Sequence, residues 1–476
     1  MKKFRVICLF MGLLLFISIM SGTVFAQPDA SVGSGCHSVD AQKPLDGSEK
    51  LLDTAKAVVL YERNSDTMIY AYEPDKQIDP SSMVKLMTAL IAIENLDLNA
   101  TATVSRDALN DVGIGVVSVK PRFSPGEEVS VESLLYCMIA ASDSDSAAVL
   151  AEMVSGSQSA FVEKMNQRAA EMGCTNTHFT NAHGLYDKNA YSTARDICRI
   201  IDIALENEMF VKLFNADTYT VPATNMAEER QVLTTNWMMS DDYTTRYFDE
   251  RVIGGKTGTD GQNGRCLAVT AEDGAMELLA VVMGAEAVYN ELDPNILEAF
   301  GSFEEMSALL NYACDKFEYR QVFHKGQTFS QYPVANGNNN LVTTPASEAY
   351  AILPSELTPE QLRWVYPDTV GTFTAPVKAG QKVTFVEVWY GDLCIARSDL
   401  LAMNNVDIYV AQSEPDMPAS LHEDSAGKTI ATISLIILGF FALTFTVLFT
   451  IRSVRIASMR AKRRRRRASR RRNYEW

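Results

Sequence analysis

The sequence predicts an α+β protein in which an antiparallel sheet packs with a cluster of helices, followed by a small all-β domain and one C-terminal transmembrane helix. Three observations lead to this prediction. Apolar residues recur at helical spacing through much of the first half of the chain, and strand-like segments return after position 250. An uncharged apolar run, 429–451, lies close to the C-terminus and is long enough to cross a bilayer as a helix.

The early part of the chain contains one hairpin signal and several helical ones. Two apolar or aromatic runs flank Asn64-Ser65-Asp66 in KAVVLYERNSDTMIYAYEP, which predicts a β-hairpin. Helical spacing predicts a helix from Ser82 to about Leu96, and a helix, a break and a second helix between Val131 and Met153. Further helices are predicted at 158–172, 193–206 and 303–316.

Three strand signals follow, in RVIGGKTG, GRCLAVTAED and MELLAVVMGAE, with Asp273-Gly274 as the turn between the last two. Together with the helices they predict one domain over residues 51–317. Beyond it, short segments alternate with Gly, Pro and Asn, which predicts a small β domain over 318–411. We expect the Trp and Tyr side chains of that domain to form its core.

The two ends of the chain carry targeting signals. Residues 1–26 have the basic start, apolar middle and small-residue exit of a secretory signal peptide, and the Ser- and Gly-rich stretch 27–50 reads as a linker. An acidic linker, 412–428, leads to the predicted membrane helix 429–451. The basic tail 452–476 is expected in the cytoplasm by the positive-inside rule, so the region before the helix is expected outside the cell membrane.

Charge and cysteine content exclude several classes of protein. The net charge of the whole chain is −16. Because the tail contributes +11 and the first 26 residues +3, residues 27–428 carry a net charge of −30. A basic tail beside a membrane span indicates a topological anchor, and no nucleic-acid partner is expected. Seven cysteines lie beyond the signal peptide, without the spacing of a metal site or a disulfide scaffold, and no cofactor or metal is expected.

The stretch DPSSMVKLMTAL places Ser82 three residues before Lys85 at the start of a predicted helix. One interpretation is that Ser81 or Ser82 caps the helix and Lys85 points to water. The other is nucleophilic catalysis, because residues three apart share a helix face and a desolvated lysine can remove the proton of a serine hydroxyl. The pattern is too common to decide between them alone.

Two further stretches could contribute to a site. Lys256-Thr257-Gly258 stands at the end of one predicted strand, and Ser142 and Ser144 lie in the break between two predicted helices. A nucleotide phosphate loop is excluded, because position 250, where that loop needs glycine, is Glu.

The chain contains three motifs in order: S-x-x-K, then Ser142-x-Ser144, then K-T-G. Their order and spacing resemble those of the serine penicillin-recognising enzymes. The PSSMVKLMTAL frame, the stretch 176–200 and the KTGT..GRCLAV frame look like the D-alanyl-D-alanine carboxypeptidases, the low-molecular-mass penicillin-binding proteins. The resemblance implies a serine β-lactamase/transpeptidase-like domain followed by the small β domain and the membrane anchor.

The resemblance also implies roles for individual residues. Ser82 would be the acylated nucleophile, Lys85 its general base and Ser142 a proton relay to the leaving group. Lys256 and Thr257 would hold the substrate carboxylate, Gly258 would leave room for the substrate backbone, and the N–H groups of Ser82 and Thr259 would form the oxyanion hole. Ser144 departs from the family, which usually has Asn there.

The function implied is removal of the terminal D-alanine from peptidoglycan stem peptides ending in D-Ala-D-Ala, with β-lactam antibiotics as covalent inhibitors. Because a serine hydroxyl cannot replace both polar atoms of a carboxamide, Ser144 leaves open a catalytically impaired peptidoglycan-binding or sensor protein of the same fold. A β-lactamase is the other alternative.

Overall fold

The computed structural model describes residues 44–45, 50–113, 122–241, 245–260, 264–289, 297–366 and 373–410. Outside these residues lie the predicted signal peptide, the acidic linker, the predicted membrane helix and the basic tail. Of the first linker, 27–50, only Pro44, Leu45 and Lys50 are described. Within the described part, no helix combines the length and the apolar character needed to cross a membrane.

A five-stranded antiparallel sheet, in the order β2-β1-β9-β8-β7, is the centre of the first part of the chain. Strands β1 to β11 span Ala57–Glu62, Thr67–Tyr72, Thr101–Thr103, Glu128–Ser130, Thr218–Val221, Arg230–Leu233, Val252–Asp260, Gly264–Asp273, Met276–Ala285, Ala287–Tyr289 and Leu297–Phe300. The predicted hairpin is confirmed as β1 and β2, and Gly274, with a φ of +67°, makes the predicted tight turn between β8 and β9. Three short antiparallel pairs, β3 with β4, β5 with β6 and β10 with β11, were not predicted.

The helices agree closely with the helical spacing of the sequence. Helices α1 to α8 span Val84–Asn95, Arg106–Val112, Val131–Ile139, Ser144–Ser155, Gln158–Glu171, Ala194–Ala204, Glu208–Phe214 and Gly301–Lys316. The predicted helix from Ser82 is preceded by one 3₁₀ turn, Ser81–Met83. The predicted break between Val131 and Met153 is confirmed between α3 and α4.

The sheet is covered on both faces, which explains why every residue of β1 is buried and why the strand carries no polar residue between Ala57 and Leu60. Val59 of β1 belongs to the core on the side of helices α1 to α7. Its neighbours Val58 and Leu60 point the other way and pack in a second core with α8. The edge strand β7 contacts the 3₁₀ turn that precedes α1, and its Lys256 contacts Ser142 in the turn between α3 and α4.

The chain passes directly from α8, which ends at Lys316, into an all-β region that confirms the predicted fold of this part. Strands β12 to β20 span Phe317–Phe323, Ser330–Tyr332, Val334–Ala335, Leu341–Pro345, Ala349–Pro354, Leu362–Val365, Phe373–Thr374, Lys382–Tyr390 and Leu393–Ala402. A five-stranded sheet in the order β13-β15-β20-β19-β17 forms its main layer. Ile352 of β16 joins the same apolar core as α8, so the two regions share buried contacts.

The expectation that the aromatic side chains of the β region form its core is wrong for several of them. The buried core there consists mainly of aliphatic residues such as Val386, Val388 and Leu400, together with Phe323. Four of its large aromatic side chains are more than a third exposed: Tyr350, Trp364, Tyr366 and Tyr409. Aromatic content alone did not distinguish a core position from a half-covered surface position.

Candidate active site

Ser82 and Lys85 lie together at the N-terminal end of α1. Neither the 3₁₀ turn nor α1 has a side-chain cap, so the interpretation of Ser81 or Ser82 as a helix cap is wrong. Lys85 is fully buried and does not point to water. Its Nζ lies 3.1 Å from Ser82 Oγ and also donates a hydrogen bond to the backbone carbonyl of His183.

Burial sets the proton affinity of Lys85. Loss of hydration penalises the ammonium form and lowers the pKa of Lys85 to about 8, against a partial opposing effect from the negative charge of Asp143. A substantial fraction of this side chain is therefore the neutral amine near pH 8. A neutral amine at hydrogen-bond distance can accept the proton of Ser82.

The loop that follows His178 packs against the 3₁₀ turn that carries Ser82. Asn181 Oδ1 accepts a hydrogen bond of 2.6 Å from the N–H of Gly184, and His183 Nε2 lies 3.3 Å from Asp111 Oδ2. Gly184 has a φ of +73°, and a Cβ added there would lie 2.1 Å from the carbonyl oxygen of Ser81. Only glycine allows the loop to come this close to the nucleophile turn.

Ser142 is placed by the turn between α3 and α4. Its φ of +59° lies in the left-handed region, which is costly for a residue other than glycine. Next to it, the buried Asp143 caps α4 by accepting hydrogen bonds from the N–H of Ser146, at 2.7 Å, and from its hydroxyl. Burial raises the pKa of Asp143 to about 7. The cap holds the turn that presents Ser142 to the site.

Lys256 on β7 reaches Ser142 from the sheet. Its Nζ donates to Ser142 Oγ at 2.8 Å and to the carbonyl of Thr257 at 2.9 Å. Burial, and then the positive charge of Lys85, hold the pKa of Lys256 well below its usual value. Each serine hydroxyl of the site thus has a buried lysine as its partner: Lys85 contacts Ser82, and Lys256 contacts Ser142.

An open cleft of about 480 Å³ lies over these groups. The residues around it come from the three predicted stretches and from segments that the sequence did not indicate: Ser82, Ser142, Ser144, Leu185, Leu233, Thr234, Thr235, Trp237, Thr257, Gly258, Thr259, Arg265, Cys266, Phe300, Ser302 and Phe303. Thr257 Oγ1 lies 2.6 Å from Thr235 Oγ1. Ser144, the first residue of α4, is at the cleft but 9% exposed.

Gly258 also lies at the cleft, and protein atoms occupy the space on its Cβ side. A Cβ at this position would lie 3.2 Å from Cys266 Cβ, 3.4 Å from the carbonyl oxygen of Pro80 and 3.5 Å from Ser81 Cβ. Only the contact with Cys266 would be tighter than usual, and the two contacts with the segment that carries the nucleophile would be ordinary van der Waals contacts.

The structure brings all eight residues predicted for the site to one region, with Ser82, Ser142, Ser144, Thr257, Gly258 and Thr259 at the cleft and Lys85 and Lys256 beneath it. Sequence reasoning did not include Thr235 or Arg265, and it named Asp143 only as a residue that could compensate for Ser144, not as the cap of α4. Asp143 had a usable signal, because an Asp that begins a helix is a common cap. Thr235 and Arg265 had none, since their place depends on how loop and strand pack.

Two family models match the chain. The model of D-alanyl-D-alanine carboxypeptidase matches residues 47–287. The model of the C-terminal domain of penicillin-binding protein 5 matches residues 317–407. The first match corresponds to the part of the structure with helices and the central sheet, and the second corresponds to the all-β part.

Relatives and solved structures agree with the family models. The chain is 27% identical over 338 residues to the D-alanyl-D-alanine carboxypeptidase DacF of Bacillus subtilis, covering 71% of this chain and 82% of that protein. It is 28% identical over 400 residues to DacC of Escherichia coli, covering 82% and 90%. A crystal structure of penicillin binding protein 5 from Haemophilus influenzae superposes with a TM-score of 0.56 at 25% identity, covering 76% of this chain and all of that one. The chain belongs to the family of serine D-alanyl-D-alanine carboxypeptidases.

Proposed function

We propose that this serine D-alanyl-D-alanine carboxypeptidase removes the terminal D-alanine of peptidoglycan stem peptides through an acyl-enzyme on Ser82. The observation that carries the assignment is the hydrogen bond between Ser82 Oγ and a buried lysine whose pKa falls to about 8. A serine needs such a base, because its hydroxyl is a weak nucleophile at neutral pH. Lys85 is the amine placed to serve it.

In the first step, Lys85 takes the proton of Ser82 as its oxygen bonds to the penultimate carbonyl carbon. The N–H groups of Ser82 and Thr259 are the proposed donors to the developing oxyanion, and one such donor is typically worth about 3 kcal/mol at the transition state. Ser142, hydrogen-bonded to Lys256, relays to the amine nitrogen the proton that Lys85 accepted, as the C–N bond breaks and D-alanine leaves. Water then attacks the ester, and Ser82 recovers its proton.

The acyl-enzyme is tested by labelling the exported part of the chain with a fluorescent penicillin. We expect a covalent label on the wild type and none on Ser82→Ala, because only the hydroxyl can open the lactam ring. A label that persists in Ser82→Ala would show that another residue is acylated. An acyl-enzyme that lasts hours separates a penicillin-binding protein from a β-lactamase, which releases its product in milliseconds.

Ser144 is tested by release of D-alanine from diacetyl-L-lysyl-D-alanyl-D-alanine. The short hydroxyl at the start of α4 lines the cleft in place of the carboxamide usual in the family. We expect measurable release by the wild type and a change in rate for Ser144→Asn. A wild type that binds the peptide and releases nothing would identify a binding or sensor protein.

For the whole chain we propose a single-pass membrane protein with its catalytic part outside the cell membrane. The support comes from the sequence: a signal-like start, the uncharged run 429–451 and the basic tail 452–476. Cells that express the full chain should retain it in the membrane fraction, and a chain ending at Lys428 should appear in the soluble extracytoplasmic fraction. Equal distribution of both forms would contradict the proposed anchor.

A further inference from the structure

The turn that carries the nucleophile contains an unusual backbone conformation at Ser81. This residue is buried and has a φ of +51°, in the left-handed region that residues other than glycine rarely adopt. Such a conformation persists only where the surrounding structure imposes it. The contacts on the two sides of Ser81 show what imposes it here.

On the N-terminal side, Ser81 is held by Asp79 and Pro80. Asp79 Oδ1 accepts a hydrogen bond of 2.6 Å from the N–H of Ser81, two residues further on, and Pro80 between them has a φ of −71°, which its ring fixes. Ile78 is fixed in turn, because its N–H and its carbonyl both bond to Ser192 at 2.9 Å. The peptide that enters Ser81 therefore has a defined orientation.

On the C-terminal side, the carbonyl of Ser81 faces the loop at Gly184. A Cβ built at Gly184 would lie 2.1 Å from the carbonyl oxygen of Ser81 and 2.6 Å from its carbon, so the oxygen points at the loop. In a trans peptide the N–H of the next residue points the opposite way. The N–H of Ser82 is therefore directed away from the loop.

The N–H of Ser82 is a donor that the fold does not use. Among the described residues, none accepts a hydrogen bond from it. Of residues 79–83, only Ser82 lines the cleft. An unpaired backbone donor at a cleft is available to a ligand, and a donor whose orientation is already fixed needs no rearrangement when charge develops during the reaction.

We propose that Asp79 and the left-handed Ser81 are positioning residues, which fix the Ser81–Ser82 peptide so that the N–H of Ser82 stabilises the developing oxyanion. The inference rests on the proposed acyl transfer at Ser82 and identifies the residues that prepare it. Neither side chain lines the cleft. Ser81 thus acts through its backbone and is not a second nucleophile.

The test removes the acceptor of the Ser81 N–H. For Asp79→Ala, with the full-length chain in detergent, we expect kcat for D-alanine release from diacetyl-L-lysyl-D-alanyl-D-alanine to fall on the order of 10- to 100-fold. KM should change little, because a misdirected donor weakens binding of the transition state and not of the ground state. Asp79→Asn keeps the acceptor oxygen and should recover most of the lost rate. Asp79→Ser, with a hydroxyl that makes this contact more weakly, should lie between Asn and Ala.

Two further measurements separate positioning from general damage to the fold. Burial and Asp143 set the pKa of Lys85, so the pH midpoint of kcat/KM should stay at about 8 in Asp79→Ala while the plateau falls. A peptidyl boronic acid forms a tetrahedral adduct on Ser82 that places an oxygen where the oxyanion develops. Its affinity should weaken in parallel with kcat across the Asp79 variants.

Asp97→Ala is the matched control. Asp97 Oδ1 accepts a hydrogen bond of 3.0 Å from the N–H of Asn99, again two residues further on, in an exposed turn that follows α1. The variant removes the same kind of contact from a residue that does not line the cleft. It should leave kcat, KM and the affinity for the boronic acid unchanged.

Each outcome decides the assignment. A wild-type kcat in Asp79→Ala, a loss that Asp79→Asn does not reverse, or a loss confined to KM would overturn the positioning role and leave the chemistry of Ser82 in place. If Asp79→Ala does not melt cooperatively, the comparison of Asp79→Asn with Asp79→Ser decides. A wild type that neither releases D-alanine nor is labelled by penicillin would instead refute the acyl transfer itself.

Discussion

Two lysines are buried beneath one cleft, and each contacts a different serine. Lys85 contacts the hydroxyl of Ser82 at the nucleophile turn, whereas Lys256 contacts the hydroxyl of Ser142 and stands across the sheet from Arg265. Burial, and then repulsion by the positive charge of Lys85, lowers the pKa of Lys256.

The pH dependence of acylation should follow Lys85. The base works only when it is deprotonated, so kcat/KM should rise with pH to a midpoint of about 8 and then level off. Initial rates of D-alanine release between pH 6 and 10 measure the profile. Lys85→Arg, which cannot deprotonate, should lose on the order of 10²- to 10⁴-fold at every pH. A profile that falls as pH rises through 8 would contradict the role of Lys85 as the base.

Asp143 should shift that profile. Its negative charge raises the pKa of Lys85, in opposition to burial. Asp143→Asn removes the charge and keeps an oxygen that can accept the N–H of Ser146, so the Lys85 pKa should fall further and the midpoint should move to lower pH. The same assay detects the shift. An unchanged midpoint with a lower plateau would mean that Asp143 acts only as the helix cap.

At the scale of elements, the contact between the 181–185 loop and the nucleophile turn can be tested with a matched pair of glycines. Gly184 and Gly156 both have a φ of +73°, but a Cβ at Gly184 would lie 2.1 Å from Ser81, whereas one at Gly156 meets nothing within 4 Å. Gly156→Ala should cost about 1 kcal/mol from its backbone alone. Gly184→Ala should cost about 1–3 kcal/mol more and should abolish labelling by penicillin.

Thermal melts and labelling of the two variants give the comparison. Equal melting temperatures would show that the loop yields to the added methyl group, and full labelling of Gly184→Ala would show that the nucleophile turn does not depend on this contact.

Most long elements could be predicted from the sequence because their periodicity matches their environment. Helix Gln158–Glu171 buries Phe161, Met165 and Ala169 at helical spacing, so its boundaries were readable. By contrast, the sequence did not predict the strand pair Thr218–Val221 and Arg230–Leu233. Strands this short are defined by their partner strand and have no hydrophobic pattern of their own.

The candidate site could be predicted only where neighbours in sequence are also neighbours in space. Ser82 with Lys85, and Thr257 beside Lys256, lie within single elements. Thr235 and Arg265 reach the cleft through the packing of a loop against β7 and the register of β8, which the sequence does not determine locally.

At the scale of the whole molecule, all the described residues that line the cleft lie between Ser82 and Phe303. A chain of residues 27–320, without the β region, should therefore still be labelled by penicillin. Its melting temperature should be lower than that of residues 27–410, because the core around α8 loses Ile352, and deletion of a buried aliphatic side chain costs about 2–5 kcal/mol. Loss of labelling in a chain that still melts cooperatively would show that the β region shapes the cleft.

The central sheet joins the first strand of the domain to one of its last, since Ala57 pairs with Met283. Contacts between residues so distant in sequence form slowly, because a long loop must close before any pairing compensates for the lost entropy. Ser82 and Lys85 emerge early from synthesis, but Lys256 and Arg265 reach them only after β7, β8 and β9 have followed. The order of the strands therefore delays activity: the nucleophile is synthesised early, and the catalytic site is complete only when nearly the whole domain has folded around it.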